Sequence, residues 1–465
     1  MDETDIAYAG VAGQAELVRS GEISSVELTH MLLKRIERLN PAINAFRIVM
    51  AEQALAEAAA RDQARPGPDD TGAPLHGVPI AIKDEIDVEG QLTTFGTAAR
   101  TRPAGADAEL VARLRAAGAV IVGKTAMPEF GQWPFTESAT FGYTRNPWDL
   151  GRSTGGSSGG TAAAVAAGLV AAGIGGDGGG SIRIPSACCG LCGLKPTRGL
   201  VSAAPLDGVW HALGTLGPLT RSVRDSAVIY DVIRTVWPEH EGDLAVAAAS
   251  EPGALRIALS RRPTQLGVRL DAEQARALDE TAEALRALGH DVREADPDYP
   301  ELTPAFVPQF YGGVRDEVKL VEAPELLERR TKQTLALARA FPDSAVRWAI
   351  SHGEKIAKRV NRLFDDHDVL LTPTIAALPR RIGALDGIGS LHASLRAIPY
   401  VAYTAVWNVC GNPGASIPVG FAPDGLPRAV QLVGAPRREP LLLGLAAQLE
   451  RARPWADQRP PVDPL

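Results

Sequence analysis

The sequence predicts an α/β fold: a single large domain in which a central mixed β-sheet is flanked by helices. Three observations predict it. A strand, helix, strand rhythm runs over residues 78–122 and returns over residues 256–295, the pattern of a sheet with helical connections. The chain's 465 residues, 45% apolar and 22% charged, have the composition of a globular protein with a sizeable core. No segment has the composition of a linker crossed by few contacts, so the chain reads as one domain rather than two.

The elements follow in order. Residues 11–39 and 51–64 carry apolar side chains at helical spacing, such as Leu28, Leu32 and Ile36, with polar faces between them, and read as amphipathic helices. Residues 65–74, rich in Pro, Asp and Gly, read as a loop. Val78 to Ile82 is a short β-type run that ends at Lys83. A helix over 109–117 and a strand over 119–122 follow. Residues 223–236 read as helical, and 238–253 loosen into a connection. Strand 256–260, helix 272–288 and strand 292–295 repeat the rhythm. A strand at 369–372 enters a turn at Pro373, and 415–420 and 428–434 form a late β pair around Pro423, Asp424 and Gly425. The proline-rich tail from Arg453 is expected on the surface.

A net charge of −7, with arginines interleaved among acids as at Glu328, Arg329 and Arg330, argues against nucleic acid as a partner. The acidic start, Asp2, Glu3 and Asp5, lacks the positive flank and apolar core of a secretory signal. The longest weakly polar run, 161–176, is too short for a membrane helix. A cytoplasmic protein with no membrane partner is therefore expected, and four cysteines suit a reducing compartment. Cys188, Cys189 and Cys192 form CCxxC, but no second pair and no histidine follows at ligand spacing. With Ile184, Leu191 and Leu194 around them, they read as buried core rather than a metal or redox site.

Three further motifs mislead. GAVIVGKT, residues 118–125, fits the phosphate-loop pattern, yet its variable positions are Ala119, Val120, Ile121 and Val122, which belong in a strand, and Pro128 stands where a helix should begin. Gly173, Gly175 and Gly178 satisfy GxGxxG, but after an Ala-rich helical stretch rather than a strand. GxSxG is centred on both Ser157 and Ser158, which raises a Ser-His-Asp α/β-hydrolase with His290, His352, His367 or His392 as base. The turn-like residues 145–151 stand where that motif needs a strand.

What remains is two serines set in glycine: Ser157 in GGSSGG (155–160) and Ser181 in DGGGSIRIP (177–185), 24 residues apart. Glycine costs backbone entropy, so such clusters mark backbone that bends at positive φ or approaches something closely. A serine is a weak nucleophile until a base takes its proton. Lys83, in VPIAIKDEID, is a candidate, because burial disfavours a charged ammonium and a neutral lysine accepts protons. The same side chain is equally suited to a salt bridge with Asp84, Glu85 or Asp87. Residue chemistry leaves both readings open.

VPIAIKD, GGSSGG, DGGGSIRIP and GLKPT (193–197), in this order, resemble the amidase signature family, whose enzymes use a Ser, Ser, Lys triad. GKTAMPE (123–129), RNPW (145–148), LLTPT (370–374), GNPGASIPVGF (411–421) and DGLP (424–427) extend the similarity, which is weakest between Pro238 and Asp368. The resemblance implies the amidase signature fold. It implies Lys83 as base, Ser157 as bridge and Ser181 as nucleophile, with the amides of Gly178, Gly179, Gly180 and Ser181 as oxyanion hole. Gly131, Gln132 and Trp133 are expected to bind substrate, and Ser158, Asp177 and Arg183 to support the site. Phe306, Phe310, Tyr311 and Val314 are candidates for an acyl pocket. The implied division is a helical segment 1–70, a catalytic core 71–235, a variable pocket region 238–400 and a C-terminal segment 401–465.

The implied reaction is hydrolysis of a small carboxylic acid amide through an acyl-enzyme, without metal or organic cofactor, and a homodimer is left open. The A subunit of a glutamyl-tRNA amidotransferase is the alternative within the family, although Ser181, Ile182, Arg183, Ile184 lacks the glutamine expected after the arginine. Departures from the family pattern are Thr154 in place of proline, Gly176 and Gly178 in the nucleophile loop, and Glu85 where asparagine is common. Glu85 sets a negative charge two residues from the expected base.

Overall fold

Alternation along the Lys83 strand decides how the chain layers. Ile80 and Ile82 join Ile121 of the neighbouring strand in one hydrophobic cluster, while Ala81 joins Val120 and Val122 in another, so both sheet faces are covered. The computed structural model describes residues 2–64, 72–206, 210–235 and 243–462. Its 11-stranded sheet runs in the order Phe46–Val49, Val120–Thr125, Pro79–Lys83, Ala172–Gly176, Leu216–Thr220, Cys192–Lys195, Gly414–Phe421, Pro427–Gly434, Val369–Pro373, Arg256–Leu259, Asp291–Glu294. Pro79–Lys83 is parallel to both its neighbours, and so is Arg256–Leu259. The remaining pairings are antiparallel. The sheet is thus mixed, in one α/β domain, as the sequence predicts.

Two strands of that sheet position the site. Pro79–Lys83 and Ala172–Gly176 lie side by side, with Ile82 opposite Ile174, and both end at the same sheet edge. Loops at the carboxyl ends of parallel strands are where open α/β sheets gather ligand-binding groups. Helix Gly159–Ala166, made only of Gly, Thr, Ala and Val, is buried at every residue. Its small side chains let it lie close against the sheet.

Several boundaries differ from the sequence reading. Residues 11–39 form two helices, Gly10–Ser20 and Ser25–Ile43, separated at Gly21, whose φ of 82° ends the first. The second starts at a capping box in which Glu27 N donates to Ser24 Oγ at 3.1 Å and Ser24 N to Glu27 Oε2 at 2.8 Å, worth about 1 kcal/mol. Edge strand Phe46–Val49 was not expected, and helix Leu244–Ala249 occupies part of the expected connection 238–253. Residues 65–71 of the expected loop and 236–242 lie outside the described residues. Gly173 and Gly175 of GxGxxG lie on strand Ala172–Gly176, which follows the Ala-rich helix Gly159–Ala166, and Gly178 lies in the loop beyond. The tail is docked rather than simply exposed: Trp455 is 5% exposed and donates from Nε1 to Arg221 O at 2.9 Å. Among the described residues no helix is long and apolar enough to cross a membrane.

Candidate active site

Lys83 is the last residue of its strand and 1% exposed. Its Nζ donates to Ser157 Oγ at 2.8 Å and to Gly176 O at 3.5 Å, and forms an ion pair with Glu85 Oε1 at 3.0 Å. The salt-bridge partner and the Ser157 hydroxyl thus meet the same ammonium group. Glu85 does not turn away from the lysine. Gly176 makes this possible, because a Cβ there would collide with the Glu85 carboxylate.

Ser157 is 2% exposed and follows a cis Gly156–Ser157 peptide. Ser158 stands at the N-cap position of helix Gly159–Ala166 without capping it. Its hydroxyl instead donates to Gly176 O at 3.2 Å and accepts from Gly176 N at 3.3 Å, and its own N–H donates to Ser181 O at 3.3 Å. Ser158 thus stitches the GGSSGG loop to the loop of Ser181. Ser181 itself is 7% exposed, one residue before Ile182, the N-cap position of helix Arg183–Cys189.

Asp177 and Arg183 hold the loop between them. The Asp177 carboxylate accepts from Gly180 N at 2.7 Å, Ile182 N at 3.1 Å and Asn408 Nδ2 at 2.8 Å, and from Arg183 Nε at 3.0 Å and Nη2 at 2.9 Å. Arg183 also donates to Thr404 O, Gln431 Oε1 and Asn408 Oδ1. Burial by itself would push the Asp177 carboxyl up, but the Arg183 guanidinium outweighs it and holds the group well below the usual carboxylate range. This engagement corrects one expectation. The Gly180 N–H is directed to Asp177, so it is not a free oxyanion donor. Gly180 serves through its backbone, at φ 130° and in close contact with the Thr404 side chain. The amides of Gly178, Gly179 and Ser181 have no hydrogen-bond partner among the described residues.

Gly131, Gln132 and Trp133 lie with Ser181 and Gly179 on one cavity of about 230 Å³. A Cβ on Gly131 would stand 3.1 Å from Ser157 Oγ. Gln132 Nε2 donates to Glu129 O and Thr331 Oγ1, while its Oε1 is buried with no hydrogen-bond partner among the described residues. Phe306, Phe310 and Tyr311 line the cavity as expected, whereas Val314 is fully buried and outside it. Trp210 and Val401 complete the wall. Trp210 packs edge-on to Phe310 at 5.1 Å and against Gly178.

The sequence reading missed Trp210, Thr404, Asn408 and Gln431. Asn408 had a signal, as a polar residue in the apolar helix Ala405–Cys410. None of the histidines proposed for a hydrolase triad lines this cavity: His290 pairs with Gln448, His352 stacks on Trp348 and His367 lies against Leu363 O.

Comparison with known proteins agrees with this geometry. Residues 27–443 match the family model described as Amidase. Among solved structures, 6-aminohexanoate cyclic dimer hydrolase complexed with substrate superposes with a TM-score of 0.90 at 35% identity, covering 98% of this chain and 99% of that one. A bacterial aryl acylamidase of the amidase signature family superposes with a TM-score of 0.85 at 26% identity, covering 96% of each chain. The chain belongs to the amidase signature family. Among curated relatives of this amidase, the putative amidase AmiB2 of Mycobacterium tuberculosis is 48% identical over 466 residues, spanning 99% of this chain and 100% of that protein.

Proposed function

We propose that this amidase cleaves its amide through an acyl-enzyme on Ser181, with Ser157 as proton relay and Lys83 as base. The observation that carries the reading is the buried hydrogen bond between Lys83 Nζ and Ser157 Oγ at 2.8 Å. A neutral Lys83 takes the proton of Ser157, Ser157 takes that of Ser181, and the Ser181 oxygen attacks the carbonyl carbon. The amides of Gly178, Gly179 and Ser181 are the donors available to the developing oxyanion, and losing one such donor typically costs about 3 kcal/mol of transition-state stabilisation. Ser157 then returns a proton to the leaving nitrogen as the carbon-nitrogen bond breaks. Water deacylates Ser181 by the reverse relay.

The cavity wall of Trp133, Trp210, Phe306, Phe310 and Tyr311 suits an aryl or extended alkyl acyl group. Relatives named for an aryl acylamidase and for 6-aminohexanoate cyclic dimer hydrolysis bracket that choice. The test is turnover of aryl, alkyl and amino-acid amides by the purified chain alone, with fluorophosphonate trapping and peptide mapping. An adduct on Ser181 and preference for apolar acyl groups are expected. An adduct on Ser157 or Ser158 would overturn the role assignment, and turnover only with added partner chains would favour an amidotransferase subunit.

A further inference from the structure

A second cavity, of about 140 Å³, adjoins the site on the side of Glu85 and is lined by Glu85, Asp87, Phe95, Arg100, Leu216 and Glu317. Glu317 ends helix Thr303–Glu317, far in sequence from the strand of Lys83. Its Oε2 is buried with no hydrogen-bond partner among the described residues, while Trp210, whose ring also lines the acyl cavity, is a neighbour that favours the ionised carboxyl. Burial and then the facing Glu85 carboxylate push the Glu317 carboxyl up to about 8.

The other charges around it do not cancel this arrangement. Asp316 is engaged by Arg315 at 3.3 Å and Lys319 at 2.7 Å. The Arg100 guanidinium lies over the Phe95 ring at 5.3 Å, and Asp87 adds a further acid to the cavity wall. Glu85 is already committed to Lys83 as its ion-pair partner. A protonated Glu317 leaves Lys83 and Glu85 as one cation facing one anion. An ionised Glu317, its proton lost to solvent, sets a second negative charge beside Glu85 and favours the ammonium form of Lys83.

We propose that Glu317 is a positioning residue that acts through Glu85 to set how firmly Lys83 holds its proton. This inference rests on Lys83 being the base. The test is the pH dependence of kcat/KM for amide turnover by the full chain. In wild type the rising limb reflects loss of a proton from the base. Wild-type Glu317 carries its charge only above about pH 8, so in that range Glu317→Gln removes the second charge and the midpoint of the limb moves down by about one pH unit, while Glu317→Asp, which keeps the charge, restores a midpoint close to wild type.

A midpoint unmoved in Glu317→Gln, or a loss of rate uniform across pH, overturns the proposal. Trp210→Phe provides a second variant. It removes the indole that favours the ionised Glu317, so the midpoint moves in the same direction when the rate of fluorophosphonate labelling of Ser181 is followed against pH. Lys83→Ala separates the two levels: full labelling in that variant overturns the triad reading itself, whereas lost labelling with an unmoved Glu317→Gln midpoint overturns only the role of Glu317.

Discussion

Lys83 and Lys124 stand on adjacent parallel strands, with Ile82 opposite Lys124 and Lys83 opposite Thr125, and neither side chain is more than 1% exposed. Their partners differ. Lys124 Nζ meets Leu92 O at 3.2 Å, Thr93 Oγ1 at 2.9 Å and Asp84 Oδ1 at 3.5 Å, and Asp84 is held in turn by Thr94. Lys83 Nζ meets one carboxylate and the hydroxyl of Ser157, a group that can donate as well as accept. Burial lowers the Lys124 ammonium and raises the Asp84 carboxyl, each partly offset by the other, so their site is a closed ion pair. Both ammonium groups meet a hydroxyl, so neither burial nor a hydroxyl neighbour sets them apart. On the proposed mechanism the difference is that Ser157 belongs to the glycine-set loops around Ser181, whereas Thr93 shares Lys124 with the buried Asp84 carboxylate.

The largest effect expected is the one that separates these two lysines. Lys83→Ala should lower kcat/KM by about 10⁴-fold or more, with a urea unfolding midpoint close to wild type. Lys124→Ala should do the reverse. It leaves Asp84 buried without its cation, costing about 3–5 kcal/mol of stability, while the folded fraction turns over at the wild-type rate. If Lys124→Ala stays folded and loses turnover, the contrast between them is wrong.

Arg183 extends the comparison to a third buried cation, one that grips the nucleophile loop. Arg183→Met should cost about 3 kcal/mol, since it strips Asp177 of its main counter-charge. The pH dependence carries the sign. In wild type the Asp177 carboxyl is depressed, so its stabilisation is fully present above the ordinary aspartate range near pH 4 and is lost as the pH falls through and below it. In the variant, burial is opposed mainly by Lys195 and Asn408, and the carboxyl rises. The deficit relative to wild type should then be larger at about pH 8 than at about pH 5 in urea titrations. An equal deficit at both would mean that Arg183 contributes packing rather than charge.

The candidates for the polar half of the site were legible because each is local, while their roles came only from the family resemblance. Lys83 ends an apolar strand, and Ser157 and Ser181 sit in glycine runs that only close backbone approach explains. The same locality set the limit. Spacing could not reveal that Asp177 takes the Gly180 N–H, because that depends on how the loop curls. Trp210, Phe306 and the segment 401–408 reach the site from parts of the chain far apart in sequence, and although Phe306 was a candidate, no short window records their meeting. Pro308 and Pro399 lie inside helices Thr303–Glu317 and Ser390–Val401, where proline ordinarily breaks the pattern, so the wall of the pocket did not read as helical.

That wall is the apolar counterpart of the lysine sites, and a smaller effect is expected there. Phe306 stacks on Phe310 at 6.1 Å and reaches to within 3.3 Å of a Cβ placed on Gly179. Phe306→Ala should raise KM for aryl acyl amides about tenfold with little change in kcat, the size expected when an apolar pocket loses part of its contact. A fall in kcat with KM unchanged would instead place Phe306 among the groups that orient the reacting carbonyl.

The smallest effect belongs to buried groups whose ionisation is governed first by burial. Burial pushes the Cys188 and Cys410 thiols up to about 12, and those of Cys189 and Cys192 also rise. All four cysteines are free and buried, and Cys188 Sγ would stand 2.9 Å from a Cβ on Gly155, so its sulfur fills space behind the GGSSGG loop. A thiol reacts through its thiolate; burial disfavours that form, and the Arg380 charge near Cys188 and the Arg198 and Lys195 charges near Cys410 offset only part of it. Iodoacetamide at about pH 8 should leave the native chain unmodified and its turnover within about twofold of the control, while the same reagent in urea should alkylate all four cysteines. Rapid native labelling within CCxxC with loss of activity would reveal an accessible thiolate beside the site, and would place these sulfurs with Lys83 among the groups whose surroundings are built for proton loss rather than with Lys124 among those held fixed.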